Sequence, residues 1–219
     1  MKKDLKEELK EKIKAFAAKN LKWIILFICL IGFLALAEDV FNKEIMQGDI
    51  IGYKLISTYL ISDFVTPIAK FITNLGGAIF LVCIAVILFA TIKNKKMGAS
   101  IVINLCIITI LNQLLKQILQ RPRPEEFRII NESGYSFPSG HSMISMAFYG
   151  YLIYLIQKNI KNKYIKWVLS IFFGLLIVSI GISRIYLGVH YTSDVLAGFL
   201  ISISYLVVYI SITNKYLNN

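Results

Sequence analysis

The chain alternates between long apolar runs and short polar segments rich in lysine. Leu21–Ala37, Leu75–Ile92, Ala99–Leu115 and Trp167–Ser183 carry one charge among them, Lys22, and Ser142–Gln157 and Val195–Asn214 carry none. These runs approach or reach the length that crosses the hydrocarbon of a bilayer, and they lack the period-two alternation of a half-buried strand. Within a bilayer no water satisfies backbone N–H and C=O groups, so such runs must be helical. The pattern predicts an all-α fold, an integral membrane bundle of six transmembrane helices.

The segments between the runs add detail. Residues 1–20 read as a charged amphipathic helix, with Glu and Lys at helical spacing, lying on the cytoplasmic surface ahead of a membrane domain over 21–219. Ala35-Leu36-Ala37 imitates a signal-peptidase site. The long charged lead, with acidic residues mixed in, favours a retained anchor instead. Between spans one and two, Ile50, Ile51, Leu55, Ile56, Tyr59 and Leu60 recur at helical spacing among polar residues. They predict interfacial helices, broken near Thr66-Pro67, that serve as packing elements or as a slot admitting lipid sideways. Cys29, Cys83 and Cys106 fall inside spans with no metal-binding spacing and read as small core residues.

At 57% hydrophobic residues, the net charge of +11 reports on topology rather than on nucleic-acid binding. With the N-terminus inside, the cytoplasmic segments and the first boundary hold 16 of the 24 Lys and Arg residues. Both termini are therefore expected in the cytoplasm, in a multi-pass protein of the cell membrane. The four arginines, Arg121, Arg123, Arg128 and Arg184, all fall on the outer side, where positive charge is disfavoured. Guanidinium forks suit bidentate phosphate or carboxylate contacts, so this placement points to an anion site.

Three clusters share that side. "KQILQRPRP" leaves the third span, with Lys116 about one turn inside the helix end, where it can snorkel or bind. "PSGH" opens the fourth: Gly140 permits close backbone approach, and helix-start N–H groups favour an anion. There Ser139 can cap the helix or donate to a ligand. "SRIYLGVHYTSD" joins the fifth and sixth and contains His190 and Asp194. Their separation of four stacks them on a helical turn, where the carboxylate can fix the imidazole tautomer and free its other nitrogen to attack. Asp194 could equally cap the sixth helix. Both histidines of the chain, His141 and His190, thus fall on one side of the membrane.

Lys116-x6-Arg123-Pro124, Pro138-Ser139-Gly140-His141 and Ser183-Arg184-x5-His190-x3-Asp194 together resemble the three-part motif of the type-2 phosphatidic acid phosphatase superfamily, in its bacterial membrane branch. The resemblance covers roughly residues 38–213 and leaves the N-terminal helix outside. It implies a lipid phosphatase acting at the outer face through a phosphohistidine. Lys116, Arg123 and Arg184 would clamp the phosphoryl oxygens with Ser139 and the backbone at Gly140. His190 would attack phosphorus, oriented by Asp194, and His141 would protonate the leaving oxygen and then activate water. Arg121 would be an extra cation, contacting a second phosphate or holding the loop.

No metal-ligand spacing is recognisable, so neither a metal nor any other cofactor is expected. Polyprenyl diphosphate, phosphatidylglycerophosphate and phosphatidic acid all fit as substrates. A phosphotransferase using an acceptor other than water, or a non-catalytic lipid-phosphate binding or transport protein, are the alternatives. The motifs leave the lipid tail and the oligomeric state open.

Overall fold

In the computed structural model residues 19–44, 46–125 and 128–217 are described with their side chains, and residues 2–18 and 218 by backbone alone. The described chain is all-helical: α1 (Lys2–Phe41), α2 (Gln47–Tyr59), α3 (Val65–Asn74), α4 (Ala78–Thr91), α5 (Lys95–Leu119), α6 (Gly140–Asn159), α7 (Lys163–Tyr186) and α8 (Thr192–Asn218). The lead and the first apolar run form one helix, unbroken at residue 20. The amphipathic face expected over 1–20 lies almost wholly outside the described side chains.

Four stretches are long and apolar enough to cross a membrane: Lys19–Phe41, Lys95–Leu119, Lys163–Tyr186 and Thr192–Leu217. The pair α3 and α4, bent by 48° at its break, would make a fifth. The sequence places a continuous second span over Leu75–Ile92, but the helix turns at 75–77 and α4 alone has 14 residues. At 1.5 Å per residue α4 falls short of the roughly 30 Å hydrocarbon and needs α3 to complete it. The remaining run became α6, whose 20 residues include buried Ser142, Ser145, Tyr149 and Tyr151. Polar groups turned into the bundle lower its hydropathy without exposing them to lipid.

Two other expectations change. The interfacial segment breaks between Tyr59 and Val65, not at Thr66-Pro67. Pro67 sits in the first turn of α3, where its missing N–H has no helical acceptor to lose. Of the three cysteines only Cys29 is buried, while Cys83 and Cys106 are exposed. The small apolar thiol tolerates a lipid-facing position as readily as a packed one.

α6 lies at the centre, against α5, α7 and α8, and α1 runs along α8. Phe148, Tyr151, Ile180 and Ile101, almost fully buried, form the main core with Leu81 of α4. Without a hydrophobic drive between helices in lipid, cohesion comes from such packing and from interhelical hydrogen bonds. Tyr151 Oη to Ser100 Oγ at 2.8 Å and Asn104 Nδ2 to the Ala147 carbonyl at 3.0 Å join α5 to α6. The helix ends are chemically sorted. Lys116, Gly140, Arg184 and Thr192 mark one end of α5–α8, while Lys95, Lys158, Lys163 and Lys215 mark the other.

Candidate active site

Each motif sits where a helix begins or ends. α5 stops because Gln120 adopts a left-handed conformation (φ 45°) and Pro122 and Pro124 follow. Ser139 caps α6, accepting from the Ser142 N–H at 3.4 Å and its Oγ at 2.9 Å. The Ser139 N–H donates to the Asp194 carbonyl at 3.0 Å, tying the "PSGH" turn to α8. Two glycines permit this crowding. A Cβ at Gly140 would lie 3.0 Å from Asn112 Oδ1, and one at Gly198 would lie 3.1 Å from both the Ser139 carbonyl and the Met143 N–H. Asn112, buried on α5, in turn donates to the Pro138 carbonyl at 3.3 Å.

His190 is held from both sides. Arg123 Nη1 lies 3.1 Å from its Nε2, and Asp194 Oδ2 lies 3.2 Å from its Nδ1. A guanidinium can only donate, so Nε2 accepts, and the ring proton resides on Nδ1 and is donated to Asp194. This tautomer leaves Nε2 with a lone pair. Burial first, then the positive charges of Arg184, Arg123 and Lys116, hold the His190 ring well below the ordinary imidazole range. That direction favours the uncharged ring.

Cations surround it. Lys116 donates from Nζ to the Tyr135 carbonyl and is buried, which excludes simple snorkelling. Arg123 donates from Nε to the Gly134 carbonyl at 2.9 Å and from Nη1 to the Val189 carbonyl at 3.0 Å. Arg184, 1% exposed, donates to Thr73 Oγ1 at 2.7 Å and to Glu132 Oε1 at 2.6 Å. Its Nε is buried with no partner among the described residues, a donor that an oxyanion would satisfy. Burial raises the Glu132 carboxyl, but the hydrogen bond and charge of Arg184 outweigh this and hold it below its ordinary value.

His141 is half-buried. Its ring lies within electrostatic reach of Arg184, Glu132, His190 and Arg123, and the Lys116 ammonium within reach of Arg123, Asp194, Glu132 and Arg184. The structure therefore brings the eight candidates together: Lys116, Arg123, Ser139, Gly140, His141, Arg184, His190 and Asp194.

Arg121 holds protein rather than facing open space. Its Nη1 donates to Asp194 Oδ1 and Ser193 Oγ, both at 2.7 Å, and its Nη2 to Asp49 Oδ2 at 2.7 Å. Asp194, fully buried, also accepts from the Tyr191 N–H at 2.9 Å. It is not the cap of α8: the Ser193 N–H is taken by Asp49 Oδ1 at 2.7 Å. Breaking one partner out of a buried ionic network costs roughly 3–5 kcal/mol. Asp49, Ser193, Thr73 and the Glu132–Arg184 pair were not singled out in the sequence. Their partners are distant in the chain, and only a lone acid within an apolar helix hinted at Asp49. Among the described residues no group of three His, Cys, Asp or Glu side chains is placed to hold a metal ion.

Residues 96–217 match the model of the PAP2 superfamily. Phosphatidylglycerophosphatase B of Bacillus subtilis (strain 168) is 33% identical over 76% of this chain and 84% of its own length. An undecaprenyl-diphosphatase of Sulfolobus acidocaldarius is 28% identical over 79% of this chain and 80% of its own. The crystal structure of a transmembrane PAP2-type phosphatidylglycerolphosphate phosphatase from Bacillus subtilis superposes with a TM-score of 0.78 at 29% identity. The superposition covers 87% of this chain and 96% of that one. A match over more than half the chain, with a relative aligned over most of both lengths, makes this membrane-spanning phosphoric ester hydrolase a member of the PAP2 superfamily.

Proposed function

We propose that the chain hydrolyses the phosphomonoester or diphosphate of a membrane lipid at the outer face of the cell membrane, through a phosphate carried on His190. The observation that carries this reading is the imidazole of His190, gripped by Asp194 at Nδ1 and by Arg123 at Nε2. A site that only bound anions would have no use for a neutral, tautomer-fixed imidazole among three cations. The relatives' names span a phosphatidylglycerophosphate and a polyprenyl diphosphate, consistent with an anionic end on an apolar tail.

Substrate phosphate displaces Arg123 from Nε2 and takes the buried Nε of Arg184, which has no partner among the described residues, with Lys116 and the start of α6 completing the clamp. His190 Nε2 forms a bond to phosphorus as the P–O bond to the leaving group breaks, and His141, which takes up a proton once the phosphate dianion offsets the cations around it, gives that proton to the departing oxygen. The Nδ1 proton stays shared with Asp194, which balances the positive charge gained by the ring. In the second step His141 takes a proton from water, the hydroxyl bonds to phosphorus, and the P–N bond breaks to restore His190. No metal is needed in this scheme.

The proposed topology has six crossings. α1, α3 with α4, and α5 to α8 pass alternately through the bilayer, so both termini lie in the cytoplasm. The lysine-bearing ends face inward by the positive-inside rule. Residues 1–20 would form the cytoplasmic lead and residues 21–219 the phosphatase domain.

The test is turnover by purified protein in detergent with EDTA. Phosphate should be released from dioleoyl phosphatidic acid or a polyprenyl diphosphate, and an acid-labile label from a phosphate-labelled lipid should appear on the protein. His190→Ala should abolish both. Label persisting in that variant, or lipid binding without turnover, overturns the proposal.

A further inference from the structure

Asp49 is the one acidic residue of α2, and it faces the wrong way for a surface helix. Its side chain is buried, while Ile50, Ile51, Leu55 and Tyr59 of the same helix are exposed. The helix turns hydrocarbon outward and its carboxylate inward, toward the start of α8. There Oδ1 accepts from the Ser193 N–H at 2.7 Å, and Oδ2 accepts from Ser193 Oγ at 2.8 Å and Arg121 Nη2 at 2.7 Å.

The contact continues to the reacting centre. Arg121 stacks on the Tyr191 ring at 4.0 Å and reaches Asp194 Oδ1, while Asp194 Oδ2 holds His190 Nδ1. Helix α2 is also pressed against α8, since a Cβ at Gly52 would fall 2.1 Å from Thr192 Oγ1. We propose that Asp49 is a positioning residue for the nucleophile: through Arg121 and the first turn of α8 it fixes Asp194, and through Asp194 it aims His190. The interfacial helix thereby becomes a working part of the catalytic apparatus.

Two physical arguments give the direction. Asp49 and Asp194 divide one guanidinium between them. Without Asp49 the fork favours bidentate pairing with Asp194, which draws that carboxylate away from the imidazole. Secondly, the Ser193 N–H is an orphan donor of a helix start, capped here from another helix. Removing the cap loosens the turn that carries Asp194. A merely structural Asp49 would instead lower stability and leave turnover per folded molecule unchanged.

The inference rests on His190 as nucleophile. The experiment measures kcat and KM on dioleoyl phosphatidic acid, and the rate of labelling at His190, with the full chain in detergent. Asp49→Asn should lower kcat and the labelling rate together by about 10- to 100-fold, with KM within about twofold. Added to Arg121→Gln, the same change should cost little more, because both act through one path. A kcat within about twofold of wild type, or independent multiplicative losses in the double variant, overturns the proposal. If Asp49→Asn does not fold, Ser193→Ala removes a single hydroxyl from the same network and must show the same kcat-selective loss. His190→Ala runs alongside. If it is inactive while Asp49→Asn behaves as wild type, this inference alone fails; if it retains turnover, the functional reading itself fails.

Discussion

Glu132 Oε1 lies 2.6 Å from Nη2 of Arg184, so a carboxylate of the protein occupies a guanidinium of the proposed phosphate clamp. An incoming phosphoryl group must share or displace it. A hydrogen bond to a charged group is worth about 1.5 kcal/mol or more. Glu132→Gln should therefore tighten inhibition by vanadate and inorganic phosphate about tenfold, with a matching fall in KM. Weaker binding of both anions in that variant would mean that Glu132 orients Arg184 instead of competing for it.

His141 is assigned the proton of the leaving oxygen, which matters in proportion to how poor the leaving group is. His141→Ala should slow cleavage of an alkyl phosphate lipid by about 10²- to 10⁴-fold. An activated aryl phosphate should lose far less in the first step, and label should accumulate on the protein because the water step is also impaired. Equal losses on both substrates would remove His141 from the acid role.

Acid should weaken the fold through His190. Burial and its cationic neighbours keep the folded ring neutral well below its ordinary value, whereas the unfolded chain takes up that proton near pH 6.5. Between those two values the unfolded state binds more protons, so stability is present above about pH 6.5 and declines as pH falls below it. The thermal midpoint in detergent should drop from about pH 7 to about pH 5, and less steeply in His190→Gln. Identical slopes would mean that His190 does not carry the dependence.

Gly198 faces the backbone of the "PSGH" turn, with the Ser139 carbonyl and Met143 N–H each 3.1 Å from where a Cβ would stand. Main-chain atoms cannot rotate aside as a side chain can. Gly198→Ala should cost about 1–3 kcal/mol and shift the turn relative to Asp194, lowering activity as well. Full activity with an unchanged melting midpoint would show that α8 can retreat without consequence.

The residues of the candidate site were legible in the sequence because each motif is local. Four residues of "PSGH" define a helix start, and His190 and Asp194 meet through one turn, so short spacing encodes the geometry. The partners of those groups were not. Asp49 meets Ser193 across 144 positions, and Thr73 meets Arg184 across 111. Neither pairing leaves a periodicity, because helix packing alone creates it. The apolar runs fixed where helices lie but not their interruptions: Gly76 and Gly77 sit inside a hydrophobic stretch and still end one helix and open another. In α6 a run without charge carries buried hydroxyls that lower its hydropathy while it remains central to the bundle.

The sorting of helix ends has a directional outcome. Under the proposed chemistry both imidazoles work in one leaflet only. A lipid trimmed there keeps its new alcohol or monophosphate end on that side, and the liberated orthophosphate drains into the compartment it faces. Re-entry of the shortened lipid into the opposite leaflet is then a separate transbilayer event that hydrolysis does not drive.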